Sequence, residues 1–325
     1  MIAYIIRRLL YAIPILIGVN VITFGLFFLV NTPDDMARMQ LGVKRVTPEA
    51  IANWKQERGY DKPLLFNASA AGAGKLTQTI FFEKSLRMFV FDFGRADDGR
   101  DIAREIGLRM GPSLAVAVPS FLVGLLVYIT FALLFAFFRA TAIDFWGVVL
   151  CVAAMSISSM FYIIGGQYLI AKLWHLVPIS GYSGGADAWR FVLLPAAVGV
   201  VAGFGGSTRM YRAFFLDEIG RDYVRTARAK GLPESVVLFR HVLKNAMIPI
   251  LTGVVVAIPF LFMGGLITES FFGIPGLGSY TIDAINAQDF GVVRSMVFIG
   301  SLLYIAGLLL TDISYTLVDP RVRLS

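Results

Sequence analysis

The chain has little of the material from which most active sites are made. Among its 325 residues are two histidines, His175 and His241, and one cysteine, Cys151. A single cysteine excludes a disulfide within the chain, and its place in an uncharged run reads as a small buried apolar side chain. The histidines fall in different polar segments with no ligand cluster around either, so no metal site is expected. Charge is scarce as well: 16% of residues are Asp, Glu, Lys or Arg, against roughly 25% in a soluble domain. No Ser-His-Asp or paired-carboxylate spacing can be assembled from them. The net charge of +7 lies beside apolar runs and not in a basic patch with interleaved aromatics, which argues against a nucleic-acid partner.

Uninterrupted apolar length is what the chain has instead. Several stretches of 17 to 27 residues carry no charge, and about 20 apolar residues cross a bilayer as a helix. The expected fold is an all-α membrane protein with six transmembrane helices. The spans are placed at 9–30, 114–138, 145–171, 191–208, 246–268 and 295–316. The chain then divides into an N-terminus and first span (1–30), a long outer loop (31–111) and a five-helix core (112–325).

Arg7 and Arg8 precede the first span, which is too long for the core of a signal peptide and ends in LVNTP without a small-residue cleavage site. It reads as a retained helix. Segment 209–244 holds eight Lys and Arg against four Asp and Glu, and the tail ends with Arg321 and Arg323. With six spans, these three basic places fall on one side, so both termini and the segment are expected to be cytoplasmic. Segment 31–111 carries thirteen basic and eleven acidic residues and is too long for that rule to govern.

Within the outer loop, VTPEAIANWKQERG has the signals of a capped helix, with Thr47 as N-cap, Pro48 at the first helical position and Gly59 past the end. IFFEKSLRMFVFDFG mixes phenylalanine with Glu83, Lys84 and Arg87, which suits a segment resting on the membrane surface or on other spans. A third helix at about 101–109 carries Ile102 and Ile106 four apart. Ser69–Leu76, SAAGAGKL, imitates a phosphate-cradling loop, yet Ser69 stands where the first glycine is needed and Leu76 where the hydroxyl is needed. It reads as a flexible linker, and the chain is left without a nucleotide site.

Polar residues inside spans are costly unless they face a cavity or a partner. Asn20 and Gln167 are therefore candidates for a transport pathway, with interhelical hydrogen bonding as the competing reading. Glu269 is placed at the outer end of the fifth span, where interfacial solvation makes its charge cheap. Next to it PGLG, Pro275, Gly276, Leu277 and Gly278, reads as a rigid turn before the re-entry of 280–286. Its density of glycine and proline beside a span points to backbone held near membrane depth and bordering an outer gate. GVVAG, Gly199 to Gly203, is a small-xxx-small face suited to close helix approach.

The most informative stretch is the charged island 217–246. Its first helix is expected from Asp222 to Lys230, with Asp222 at its positive end, Arg228 and Lys230 at its negative end, and Gly231 at the left-handed position past it. Leu232-Pro233-Glu234 opens a second helix with an apolar stripe of Val236, Phe239, Leu243 and Met247. A basic amphipathic helix pair with no energy source of its own needs a soluble partner.

RTARAKG, Arg225 to Gly231, resembles the EAAxxxG loop of permease subunits of binding-protein-dependent ATP-binding-cassette importers. Ala227 and Gly231 match that motif, while Arg225 and Thr226 depart from it. Leu243 matches the loop's closing leucine, and Lys244 stands in place of its proline. RTARAKGL is similar to the loops of the dipeptide, oligopeptide and nickel branch. YIIRRLLYAIPIL, YDKPL, FDFGR, ESFFGIPGLGSYTIDAINAQDF and DPRVR resemble the first of the two permeases in such systems.

The resemblance implies the type I importer permease fold in a bacterial inner membrane. The partners it implies are a second homologous permease, two ATP-binding subunits carrying ATP and Mg, and a periplasmic substrate-binding protein, with no cofactor and no metal in this chain. Asp222, Arg225, Thr226, Ala227, Arg228, Lys230, Gly231, Leu232 and Pro233 would couple to the ATPases, with Arg225, Arg228 and Lys230 facing their groove. Peptides are the expected substrate and nickel the alternative within the branch. An ion-coupled carrier or channel would show repeats or intramembrane ionisable residues, and neither is evident. An intramembrane enzyme lacks its catalytic constellation.

Overall fold

The computed structural model describes residues 2–42 and 46–318. The basic tail with Arg321 and Arg323 lies outside them. Among the described residues the regular structure is helical, with one isolated bridge between Arg95 and Asp101. Five helices among them are long and apolar enough to cross a membrane, and a bent pair makes a sixth crossing if counted as one span. The chain forms two compact units, one of the described residues up to Arg109 with Tyr280–Ala306, the other of Met110–Ser279 with the described residues from Gly307 onward.

In the first unit, α1 (Ile2–Gly25) continues as a wider-turned segment to Val30. It is followed by α2 (Pro33–Leu41) and α3 (Pro48–Arg58). Both short helices start as their sequences dictate. Thr32 and Asp35 form a reciprocal capping box on α2, and Thr47 caps α3 by accepting the Ala50 N–H. Phe24, Phe28, Met36, Ile51, Trp54, Tyr60 and Ile80 make the core.

The phenylalanine-rich segment rests on helices, with Phe81 edge-on to Phe24 at 5.0 Å and Phe89 edge-on to Phe298 at 5.4 Å. Arg294 is buried, donates to the Lys84 and Phe290 carbonyls and lies 4.9 Å from the Phe28 ring. Segment 67–78 is more ordered than a flexible linker. The Asn67 N–H bonds the Lys75 carbonyl, and Gly74–Thr77 forms a helical turn.

α4 (Ile102–Phe137) runs unbroken through Pro112 and Pro119, so the short helix expected at 101–109 and the second span are one element. α5 (Ala142–Ser156) and α6 (Ser159–Gly166, extended to Leu173) follow. They cover the third span expected at 145–171, and the chain bends by 88° between them. Ile157 and Ser158 are extended there, and the Tyr162 hydroxyl donates to the Ala154 carbonyl at 2.9 Å across the break.

α7 (Ala188–Ile219), α8 (Asp222–Ala229) and α9 (Glu234–Met263) complete the path to a second break. The fifth span ends earlier than expected, since Gly264 (φ +68°) stops it and α10 (Leu266–Phe272) starts anew. α11 (Leu277–Ala287) and α12 (Phe290–Val318) complete the described residues.

The start of α9 corrects the expected second island helix, which is the first turns of the fifth span itself. Its apolar stripe is also displaced. Val237, Leu238, Val242, Ala246 and Ile250 are buried, whereas Phe239 is exposed. Residues 237–243 adopt the wider π spacing, which shifts the side-chain phase relative to the 3.6-residue pattern.

In the second unit Arg212 of α7 holds Asp144 of α5 through two hydrogen bonds of 2.8 Å, and Asp144 also accepts the Ala140 N–H. Both side chains are largely buried, at 21% and 11% exposure. Removing one partner of such a pair leaves an uncompensated charge. Arg212→Ala is expected to cost about 1–3 kcal/mol, the cost of leaving the Asp144 carboxylate unpaired, read as a lowered thermal unfolding midpoint in detergent. Adding Asp144→Ala should restore part of the loss.

Candidate functional site

Within the second unit, α4 and α7 present facing stripes of small and hydroxylic residues. Ser113, Ala117, Ser120 and Tyr128 lie on α4, and Pro195, Gly199, Ser207 and Tyr211 on α7, at helical spacing. Between these stripes and the segment 257–269 is a cleft of about 410 Å³. From Ser113 to Tyr128 the helix rises about 22 Å, most of a hydrocarbon core of roughly 30 Å.

Small residues on α7 make the approach possible. A methyl on Gly199 would lie 2.4 Å from the Ser120 hydroxyl, and one on Gly203 2.5 Å from the Tyr128 hydroxyl. The Tyr128 hydroxyl donates to the Val200 carbonyl at 2.8 Å. The expected close-approach face is therefore packed against α4.

Glu269 closes one end of the cleft and differs most from its sequence expectation. It is 1% exposed and sits on its own short helix, so interfacial water does not solvate its charge. Backbone does so instead. One carboxylate oxygen accepts the N–H groups of Gly278 (2.7 Å) and Ser279 (3.1 Å), and the other accepts that of Gly265 (3.2 Å).

Ser113 hydrogen-bonds the same carboxylate and accepts the Leu277 N–H at 2.8 Å. Burial pushes the Glu269 carboxyl up, and Ser113 with the three N–H groups pulls it back. The first N–H groups of α11, which have no partner within their helix, are thus satisfied by an acid placed at the positive end of its dipole. PGLG is the turn that allows this. A methyl on Gly276 would lie 2.2 Å from the Glu269 carboxylate, and among its four residues only Pro275 is exposed.

α8 forms the opposite feature of the unit. Val224 and Ala227 are buried in a cluster with Leu133, Phe215, Val237, Leu238 and Val242, which seats the helix. Its other face is open. Asp222, Arg225, Thr226, Arg228, Lys230, Gly231, Leu232 and Pro233 are all exposed. Gly231 takes a left-handed φ of +74°, as expected for the position past the helix. Arg228 is engaged within the chain, bonding Glu234 through two guanidinium nitrogens, so it braces the turn around Gly231 and does not stand free. Arg225 has only a 3.4 Å contact with Asp222.

Asn20 and Gln167 act on backbone. Asn20 is buried and donates to the Ser85 carbonyl at 3.2 Å, in the first unit. In the second, Gln167 donates to the carbonyls of Ile179 (3.1 Å) and Phe271 (3.0 Å). Of these three bonds, the one from Gln167 to Phe271 joins two helices, as in the competing reading of interhelical hydrogen bonding, and neither residue lines the cleft. Sequence reasoning missed the cleft residues Ser120, Tyr128, Ser207 and Tyr211. Their signal was the recurrence of small or hydroxylic residues every three or four positions along two spans.

Glu269→Gln would turn an amide NH₂ toward backbone donors in a buried site. It is expected to cost about 1–3 kcal/mol, and Gly276→Ala to be comparably damaging through its clash. Thermal unfolding of the purified variants checks both.

Residues 105–324 match the family described as binding-protein-dependent transport system inner membrane component, and residues 1–71 match that family's N-terminal region. The oligopeptide transport system permease protein AppB of Bacillus subtilis is 29% identical over 99% of this chain and 100% of its own length. A putative peptide transport system permease protein of Brucella abortus is 31% identical over 99% of both chains. The glutathione transport system permease protein GsiC of Salmonella typhimurium is 30% identical over 99% of both. The chain belongs to the family of inner membrane components of binding-protein-dependent transport systems.

Proposed function

We propose that this chain is a permease subunit of an ATP-driven importer of di- or oligopeptides, forming half of the translocation pathway. The observation that carries the reading is full-length similarity to proteins named as oligopeptide, peptide and glutathione permeases. A cleft of about 410 Å³ and an exposed helix seated on the same unit give it a physical form. A second, homologous permease supplies the other half of the pathway. Two ATP-binding subunits carry ATP and Mg, and a substrate-binding protein delivers peptide from the periplasmic side. Both termini and α8 are cytoplasmic, as the basic residues at Arg7, Arg8 and 209–244 favour.

In this mechanism the ATPases dimerise on ATP and move their grooves, and α8 follows. Because Val224 and Ala227 are packed among residues of α4, α7 and α9, a push on α8 is delivered to the helices that line the cleft. Arg225, Thr226 and Lys230 present the exposed contact surface, with Arg228 holding the turn through Glu234. Gly231, Leu232 and Pro233 carry that surface into the fifth span. At the outer end PGLG, seated on Glu269, borders the gate.

Among the described residues, chain neighbours aside, nothing lies within 4 Å of a Cβ added to Gly231, so a side chain there starts in open space on the face offered to a partner. Gly231→Ala is expected to carry the left-handed penalty of roughly 1 kcal/mol and keep most uptake. Gly231→Trp is expected to abolish peptide uptake while the protein remains in the membrane. Uptake assays with both variants, alongside co-purification of the ATPases, test this. Normal uptake by the tryptophan variant with normal ATPase binding overturns it.

A further inference from the structure

Hydroxyl groups in membrane-crossing helices commonly bond the carbonyl one turn back. This chain follows that pattern at Thr23, Thr130, Ser156, Thr252, Ser301 and Thr311, each donating to the carbonyl four residues earlier at 2.7–3.0 Å. Ser120 and Ser207 depart from it, and Tyr211 and Thr268 stand with them. All four are half-buried, all four line the cleft, and their hydroxyls have no hydrogen-bond partner among the described residues.

A hydroxyl left without a protein partner bonds whatever shares its space. These four open onto the cleft, whereas the sealed, unpartnered hydroxyls of Thr208, Ser270 and Tyr280 do not line it, so the four mark a surface that bonds what enters the cleft. The chemistry of that entrant follows from what else lines the space. No Asp, Lys, Arg or His lines the cleft, and its one carboxylate, Glu269, is engaged by Ser113 and three N–H groups. Phe121, Leu125, Phe260 and Leu261 supply the remaining apolar wall. Apart from that carboxylate, the cleft offers neutral groups that both donate and accept. The spacing suits an extended chain. Ser207 and Tyr211 are four residues apart, a rise of about 6 Å, and two residues of extended peptide span roughly 6.6–7.2 Å.

We propose that Ser120, Ser207, Tyr211 and Thr268 form a hydrogen-bonding track for the main-chain amides of a peptide in transit, blind to its side chains. This deepens the reading of the chain as a peptide permease and rests on it. Selection among peptides is then made before the cleft, and the cleft passes what it is given.

The test uses the whole complex with its binding protein in proteoliposomes. The probes are trialanine and two tripeptides with central glutamate or central lysine, each at a concentration saturating the binding protein. In the combined variant Ser120→Ala, Ser207→Ala, Tyr211→Phe, Thr268→Val, which keeps side-chain shape, uptake of all three is expected to fall by one common factor of about tenfold. Unchanged uptake, or a loss confined to one side-chain charge, overturns the track.

If the combined variant does not assemble, the four single variants carry the same test, each expected to lose two- to threefold for all three peptides alike. Wild-type complex that hydrolyses ATP in response to its binding protein yet imports none of the three probes overturns the peptide reading itself. That result is distinguishable from wild-type uptake that the substitutions leave unaltered.

Discussion

In hydrocarbon every backbone N–H and C=O needs a partner inside the protein, and the placement of buried polar side chains in this chain follows from that constraint. At several places where the backbone leaves a helix, a side chain meets the groups it frees. Glu269 receives the N–H groups of Gly265, Gly278 and Ser279 around two successive breaks. Tyr162 bridges the bend between α5 and α6. Gln167 satisfies carbonyls at 179 and 271. Asp289 caps α12 through the Val292 N–H and also accepts that of Asp97, and burial pushes its carboxyl up. Arg294 and Asn20 serve the carbonyls of Lys84 and Ser85.

This division of labour changes how the polar residues of a span are read. An ionisable or amide side chain at membrane depth is by default a functional candidate. Here Asn20, Gln167 and Glu269 are held by the backbone they complete. What faces the cleft is a set of weaker groups, hydroxyls of serine, threonine and tyrosine, on helices made close by glycine and alanine.

The exposed helix α8 depends on the same packing logic. It is short, and helices of its length are marginal alone. Its order comes from burying Val224 and Ala227 among residues of three longer helices, and from the Arg228–Glu234 pair across the glycine turn. A mobile segment could not transmit displacement, whereas a helix whose inner face belongs to the core can.

Some of this was present in the chain by itself. Uncharged runs of sufficient length established a multi-helix membrane protein, because partitioning into hydrocarbon depends on local composition alone. Thr47, Pro48 and Gly59 placed α3, and Asp222 and Gly231 placed α8, because caps and left-handed turns are local. RTARAKG and the PGLG region pointed to the family through their residues.

The tertiary structure decided the rest, because it depends on contacts distant in sequence. The bend of the third span has no proline to announce it. The stripe on α9 was misphased because a π segment alters the residues per turn, and only packing selects that spacing. Glu269 looked cheap at a helix end and is instead surrounded by backbone from 265 to 279 and by Ser113. The cleft itself arises only when two stripes of small and hydroxylic residues, each unremarked along its own helix, are brought face to face.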